Sequence, residues 1–258
     1  MQFLPIFHVL MPCLLGTGAL ASLAQTMSQP ITTPTPAGPA HQRITVEVWS
    51  DVLCPFCYIG KRQFEAALAQ YAGRDSVEVV WRSFQLDPEL QTDPSKNPVR
   101  SLAENKGWSE AYTRQVMGYV TDMAREVGLE YHLEKSVVAN SFDAHRLIQL
   151  GRQYRRQSEV KERLFAAYFT EGKNIADPEV LLSIGTAAHL PAEAVQAMLQ
   201  SDAYSEAVHE DIAQAQRFEI TGVPFFVFNR QQALSGAQGA GVFLRVLREL
   251  GEGQKRRH

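Results

Sequence analysis

Two cysteines pose the first chemical question. Cys54 and Cys57 enclose Pro55 and Phe56, and the one other cysteine of the 258-residue chain is Cys13. Thiols at this spacing either bind a metal or exchange electrons. A structural zinc site needs four ligands, usually completed by a second cysteine pair or by two histidines. The chain has no second pair, and its seven histidines show no His-x(3–5)-His spacing, so no metal is expected. A redox pair needs less. Residues i and i+3 of a helix lie about 5–6 Å apart at Cα, within the range a disulfide tolerates. Cys54 would then sit at a helix N-terminus, where unpaired N–H groups and the helix dipole favour a thiolate. Pro55 needs no N–H donor and suits the first helical position. Cys57, one turn on and deeper, would resolve the mixed disulfide that Cys54 forms.

The elements around the motif supply that geometry. Ile44–Trp49 alternates and is β-branched, so a strand is expected directly before the cysteines. After them Phe64, Ala67, Leu68 and Tyr71 form one apolar stripe, predicting a helix over Tyr58–Ala72 that stops at Gly73. Val77–Leu86 reads as a second strand ended by Asp87-Pro88. Helical patterns follow: Tyr112 to Val127 closing at Gly128, a helix capped near Asn140-Ser141, one over 159–171, starts at Asp177-Pro178 and Pro191, and a stripe from Tyr204 to Ala215. Strand character returns at Pro224–Asn229, with Gln231–Ser235 as its hairpin partner, and Val242 to Leu250 forms a closing amphipathic helix. The order β-α-β, helices, β-β-α predicts an α/β class with one composite domain over 43–251. The inserted all-helical part covers about 90–218, and 252–258 reads as a flexible tail.

Hydrophobic residues make up 45% of the chain and charged residues 21%, enough for a core. Lys+Arg is 25 against Asp+Glu 28, a net charge of −3, so no basic field is available for nucleic acid. Residues 1–42 carry no Asp, Glu, Lys or Arg. They read as an apolar segment followed by a Pro/Thr/Ser/Gln-rich linker. The apolar part is either a secretory signal, giving a periplasmic or secreted protein, or an over-long start with translation from Met27, giving a cytoplasmic one. The absence of a basic n-region favours the second. Pro5, Pro12, Gly16 and Gly18 argue against a stable membrane anchor.

Three features near the motif stay open on residue chemistry alone. Glu47, on the first strand, could accept a proton from Cys57 if buried, and could equally face solvent. Asp51 is a loop cap or a modulator of Cys54. Pro224 must sit at a strand start or edge, and an ordinary trans Val223-Pro224 bond is the expected state. The glycine-rich 235–241 run lacks a dinucleotide-binding context and reads as a turn before a helix.

The strand–CPFC–helix unit followed much later by GVP before a strand resembles the thioredoxin fold with a helical insertion, the arrangement of the DsbA-like group. SDVLCPFCYIGK (50–61), NSFDAHRL (140–147), GKNIAD (172–177), GVPFFVFN (222–229) and SGAQ (235–238) resemble its FrnE-like branch. The resemblance implies a thiol–disulfide oxidoreductase acting on protein or small-molecule thiols and disulfides, without a resident cofactor and with glutathione as a candidate co-substrate. It implies that Val223 and Pro224 form a cis-proline loop facing the cysteines, where the Val223 backbone captures an extended substrate. It places Asn140 and His145 near the groove. The bland alternatives for these two are a helix cap and a packed or surface histidine, and for His145 the bland one is favoured. Phe56 stands where strong oxidants of this group carry a histidine. A Cys54 thiol below the free value but less depressed than in strong oxidants is therefore expected, in keeping with a milder oxidant or an isomerase or reductase, and the net oxidase, isomerase or reductase direction stays open. Rival functions are a glutathione-dependent kappa-transferase or chromene-carboxylate isomerase, which commonly carries serine at the nucleophile position, and a non-catalytic chaperone module.

Overall fold

The structure is a computed structural model that describes residues 43–255, with side chains described as far as Glu252. Both readings of 1–42, and residues 256–258, lie outside the described residues. No helix among the described residues is long and apolar enough to cross a membrane.

The strand before the cysteines is β1 (Ile44–Ser50), and α1 (Pro55–Gln70) follows them. β2 (Val77–Ser83) runs parallel to β1. Seven helices come next: α2 (Pro98–Lys106), α3 (Glu110–Glu126), α4 (Phe142–Gln153), α5 (Gln157–Phe165), α6 (Pro178–Ala187), α7 (Ala192–Leu199) and α8 (Ser205–Arg217). β3 (Phe225–Phe228) and β4 (Gln232–Ser235) form an antiparallel hairpin, and α9 (Ala240–Lys255) closes the order. The sheet order is β2-β1-β3-β4, with β3 antiparallel to β1. This is the expected thioredoxin-like α/β core with a helical block between its two halves.

The alternation of β1 divides the interior. Ile44, Val46 and Val48 enter the main core, which also holds both cysteines. Trp49 joins a smaller cluster with Ala215 of α8, and its Nε1 donates to the Asp211 carbonyl at 3.0 Å. On the main-core side Phe64 of α1, Phe226 of β3 and Phe243 of α9 form a ring triad with centroids 4.6–5.7 Å apart. Burying each such ring contributes about 2–3 kcal/mol, and the edge-to-face contacts add to it. The triad fixes α1, and with it the cysteines, on the sheet.

Several expected boundaries shift. α1 stops at Gln70, and Gly73 is not its left-handed cap, having φ −91. Tyr71 leaves the helix in an extended conformation, 7% exposed, and tucks against Gly251 of α9. β2 ends at Ser83 because β1 ends opposite it at Ser50, and the Leu86 N–H is instead taken by Asp51 Oδ2 at 2.8 Å. α2 was not expected. Its signals are Asn97 accepting from Arg100 N–H, Pro98 at the first turn and Gly107 with φ +67, but only Val99 and Ala103 are buried on it. Asn140 caps α4 through a bond from Phe142 N–H, whereas the Ser141 hydroxyl has no partner among the described residues. Pro191 is the N-cap residue of α7, not its first helical residue. α9 continues into the segment expected to be a tail.

Candidate active site

β1 delivers the chain into a short loop, Asp51-Val52-Leu53, and Cys54 becomes the N-cap residue of α1 with φ −90 and ψ 110. Pro55 is at the start of the helix, as expected. The Cys54 N–H bonds the Asp51 carbonyl at 3.3 Å, and the Cys57 N–H bonds the Cys54 carbonyl at 3.0 Å. Both thiols are free, and both are buried: Cys54 is 4% and Cys57 1% exposed. Between them Phe56 projects to the surface, 37% exposed. The Cys54 thiol also lies 3.4 Å from the Val223 carbonyl and donates to it.

That carbonyl belongs to a cis Val223-Pro224 peptide, so the trans expectation from residue chemistry is corrected. The loop is anchored twice. Gly236 N–H donates to the Pro224 carbonyl at 2.8 Å, and Gly60 of α1 lies so near that a Cβ there would be 3.0 Å from Pro224 Cγ. The 235–241 run is the turn into α9, as expected.

The electrostatics correct the expectation for Cys54. Its thiol is pushed well above the usual range, first by its hydrogen bond with Cys57, then by burial and by the Cys57 charge. Two sulfurs in contact ionise as a pair. A thiolate beside a second sulfur in a buried site is strongly disfavoured. The dipole of α1 does not outweigh that repulsion.

Glu47 does not meet the cysteines. It is buried, but on the sheet face opposite Val46 and Val48, where Arg82 donates at 2.5 and 3.0 Å and Arg230 at 2.8 and 3.1 Å. Burial raises its pKa, but the bonds from Arg230 and Arg82 bring it below the usual carboxylate value. A carboxylate held by two guanidinium groups is a poor proton acceptor, so the expected role for Cys57 is corrected.

Asp51 is both loop cap and buried charge. Its Oδ1 accepts from Leu53 N–H at 3.3 Å, its Oδ2 from Leu86 N–H at 2.8 Å, and His145 Nε2 lies 3.2 Å from Oδ1. Burial raises its pKa, and the His145 and backbone bonds more than reverse this. His145 is wholly buried, and burial pushes its pKa down, so at neutral pH it is an uncharged donor to Asp51. It is the packed histidine of the bland alternative, with its partner now named. Asn140 ties 85–92 to α4: its Nδ2 donates to the Pro88 and Leu90 carbonyls, and its Oδ1 accepts from Gln85.

Other groups were not anticipated. The Tyr131 hydroxyl donates to the Pro55 carbonyl at 2.8 Å, pinning the first turn of α1 from the helical block. Glu162 of α5 receives Tyr58 and Lys61, each at 2.5 Å, and both guanidinium nitrogens of Arg62. Lys161 of α5 is buried at the back of the site with its Nζ 3.2 Å from the Ser50 carbonyl. Its sequence signal was position: Gln157, Lys161, Leu164 and Tyr168 share one helix stripe, and a lysine there faces inward. No cluster of metal-ligating side chains occurs among the described residues.

The same frame occurs in known proteins. The chain is 36% identical to a probable DsbA oxidoreductase of Streptomyces coelicolor, over 82% of this chain and 91% of that one, with a TM-score of 0.76. It is 27% identical over 206 residues to the uncharacterized protein YwbO of Bacillus subtilis, 79% of this chain and 96% of the relative. The cytosolic disulfide reductase DsbM of Pseudomonas aeruginosa shares the fold at 18% identity, with a TM-score of 0.54 over 83% of this chain and 98% of that one. The family model described as DSBA-like thioredoxin domain matches residues 45–248, from β1 to α9 and across the whole helical block, and the chain belongs to that family.

Proposed function

We propose that the protein is a thiol–disulfide oxidoreductase in which Cys54 and Cys57 cycle between dithiol and disulfide, working as a reductase or isomerase on protein or small-molecule disulfides. One observation carries the reading: a free thiol at the mouth of α1, one helical turn from a second free thiol, faces the Val223 carbonyl of the cis-proline loop. Cys54 attacks a substrate sulfur as it gives up its proton, which the departing substrate sulfur takes up. A mixed disulfide forms and the first substrate thiolate leaves. Cys57 then attacks Cys54, and the second substrate thiolate leaves with the pair oxidised. Val223 offers backbone groups to an extended substrate beside the sulfur, and Pro224 fixes that edge. Phe56 presents an apolar contact at the entrance. Asp51, held by His145, shapes the loop that carries Cys54, and Asn140 braces the neighbouring loop.

The raised Cys54 pKa supports the reducing direction, because strong oxidants stabilise their reduced form through a depressed thiolate. Glutathione enters as a co-substrate that regenerates the dithiol, and no resident cofactor takes part. The stretches shared with the FrnE-like branch support a place there. The test is equilibration in glutathione redox buffers followed by mass spectrometry of the pair. A two-dalton change (two hydrogens, one per thiol) between reducing and oxidising buffers is expected. Unchanged mass in every buffer rejects the proposal.

A further inference from the structure

We propose that the open edge of β2 is a docking site, where a partner protein lays an extended acidic segment beside the strand and pairs with the backbone of Val77 and Val79. The site is separate from the dithiol and does not depend on the disulfide-exchange reading.

β2 ends the sheet: β1 lies on one side of it, and no strand lies on the other among the described residues. Along a strand the backbone N–H and C=O groups of successive residues point to alternate sides. Trp81 and Ser83 turn theirs away from β1. The Trp81 N–H donates to Gln157 Oε1 at 3.2 Å, Gln157 Nε2 donates to the Trp81 carbonyl at 3.1 Å, and the Ser83 N–H donates to Asp211 Oδ2 at 2.9 Å. Val77 and Val79 have the same parity, so their groups face outward as well. The Val77 N–H is spent on the Arg74 carbonyl. The Val77 carbonyl and both backbone groups of Val79 find no partner among the described residues. Gln157 shows what fits such an edge. Its amide makes at Trp81 the two bonds a neighbouring strand would make, and it stops an added strand from running further. Val77 to Val80 remain open to strand addition.

The side chains set the charge of the occupant. A groove of about 840 Å³ runs beside Val77–Val80, walled by the turn between α4 and α5. Each acid lining it already has a partner: Glu78 with Arg43 at 3.4 Å, Asp75 with Arg74 at 3.8 Å and Glu159 with Arg156 at 2.8 Å. Arg152 and Arg155 of the turn are exposed, line the same groove and meet no carboxylate among the described residues. A strand entering the groove therefore gains by carrying carboxylates toward these two guanidinium groups. The chain's own ends lack that chemistry. Residues 1–42 contain no Asp or Glu, and Lys255-Arg256-Arg257-His258 is basic. A second copy is disfavoured too. The antiparallel register that leaves Gln157 in place pairs Val77 with Val79 of the other copy and sets the two Glu78 side chains opposite each other, like charge against like. Ile44 pairs with Val77 and Ser50 with Ser83, and the cysteines follow Ser50. The open stretch is thus at the end of β2 remote from the dithiol, roughly 13 Å along the strand from Val79 to Ser83. A docked segment leaves Cys54 free and raises the local concentration of the protein it belongs to.

The experiment titrates the full chain with two fluorescent peptides of alternating sequence, Thr-Glu and Thr-Lys repeats about eight residues long, and reads anisotropy and amide hydrogen exchange. The Thr-Glu peptide is expected to bind about tenfold or more tightly than the Thr-Lys peptide, and to slow exchange of the Val79 N–H on the order of tenfold. Arg152→Glu with Arg155→Glu, two exposed positions, should reverse the preference between the peptides. No binding of either peptide, equal binding of both, or binding that leaves Val79 exchange unchanged overturns the proposal. Sedimentation showing a dimer in which the Val79 N–H is protected without peptide also overturns it, by giving the edge to a second copy.

Discussion

At the scale of single residues, the two sulfurs differ in what each can do alone. Cys54 meets the substrate loop through Val223, and Cys57 lies behind it. Cys57→Ala should therefore stall the cycle after the first attack, and mixed disulfides should accumulate, with glutathione by mass spectrometry and with protein partners on non-reducing gels. Cys54→Ala should form none, and accumulation in that variant instead would reverse the assignment of roles. Glu47 is decided by a different measurement. Its depressed pKa means that its two arginine partners favour the fold above the carboxylate range, a contribution lost as pH falls through the folded value. Glu47→Gln should destabilise the protein by about 3 kcal/mol in denaturant titrations, because Arg82 then stays buried with a weaker partner. The pH profile of disulfide exchange should not move, whereas a proton acceptor would shift it. These residues show what the sequence could tell. Cysteine spacing and the strand–motif–helix context are local, and they were legible. The face on which Glu47 falls depends on strand register, and the inward turn of Lys161 on how α5 docks.

Elements carry the second kind of information. β1, α1, the hairpin and α9 were legible because each has a regular apolar period. α2 was not, since two buried residues make too thin a stripe, and the end of α1 was misplaced because Tyr71 is drawn out by α9, distant in sequence. Two contacts between elements shape the site and can be tested. Gly60 lets α1 approach the cis-proline loop, and a Cβ would meet Pro224 Cγ at 3.0 Å and Ala237 Cα at 3.5 Å. Gly60→Ala should cost about 1–2 kcal/mol of stability and raise the KM for peptide disulfides, as the Val223 carbonyl moves away from Cys54. An unchanged KM would detach that loop from substrate capture. The second contact is Glu162 of α5 on α1. Burial raises its pKa, but the bonds from Arg62 and Lys61 hold it at about 2 instead of 4.5. Its contribution is therefore full above pH 4.5 and lost as pH falls toward 2. Glu162→Gln should lose roughly 2 kcal/mol at neutral pH, reduced from the full shift because the group is partly solvated, and should flatten the acid limb of a stability–pH curve. A parallel curve for the variant would show that the ion cluster does not hold the helical block to α1.

The whole molecule raises the question of whether the helical block is a separate folding unit. Its insertion between β2 and β3 was legible as a change of period, and taken alone that pattern allows two domains. The packing argues otherwise. One continuous core joins Val46 and Val48 of β1 to Tyr58 of α1, to Phe165 of α5 and to Phe243 of α9. Tyr58 of α1 stacks on Phe165 with centroids 4.8 Å apart and on Tyr131 at 6.2 Å, so aromatic rings cross the line between the two parts. Trp49 bonds the Asp211 carbonyl of α8, and Trp81 Nε1 donates to Ser158 of α5 at 2.9 Å, so each buried indole reports on the sheet and the block together. A block that let go first would expose half of each ring contact and strand the Lys161 charge. Loss of the block and loss of the sheet are therefore coupled. Thermal or urea unfolding followed by tryptophan fluorescence should coincide with the loss of helical circular dichroism, with one midpoint and one slope. Separated transitions, with the helical signal falling before the fluorescence, would show that the insertion is a domain of its own and that the dithiol site can be disassembled while the sheet still stands.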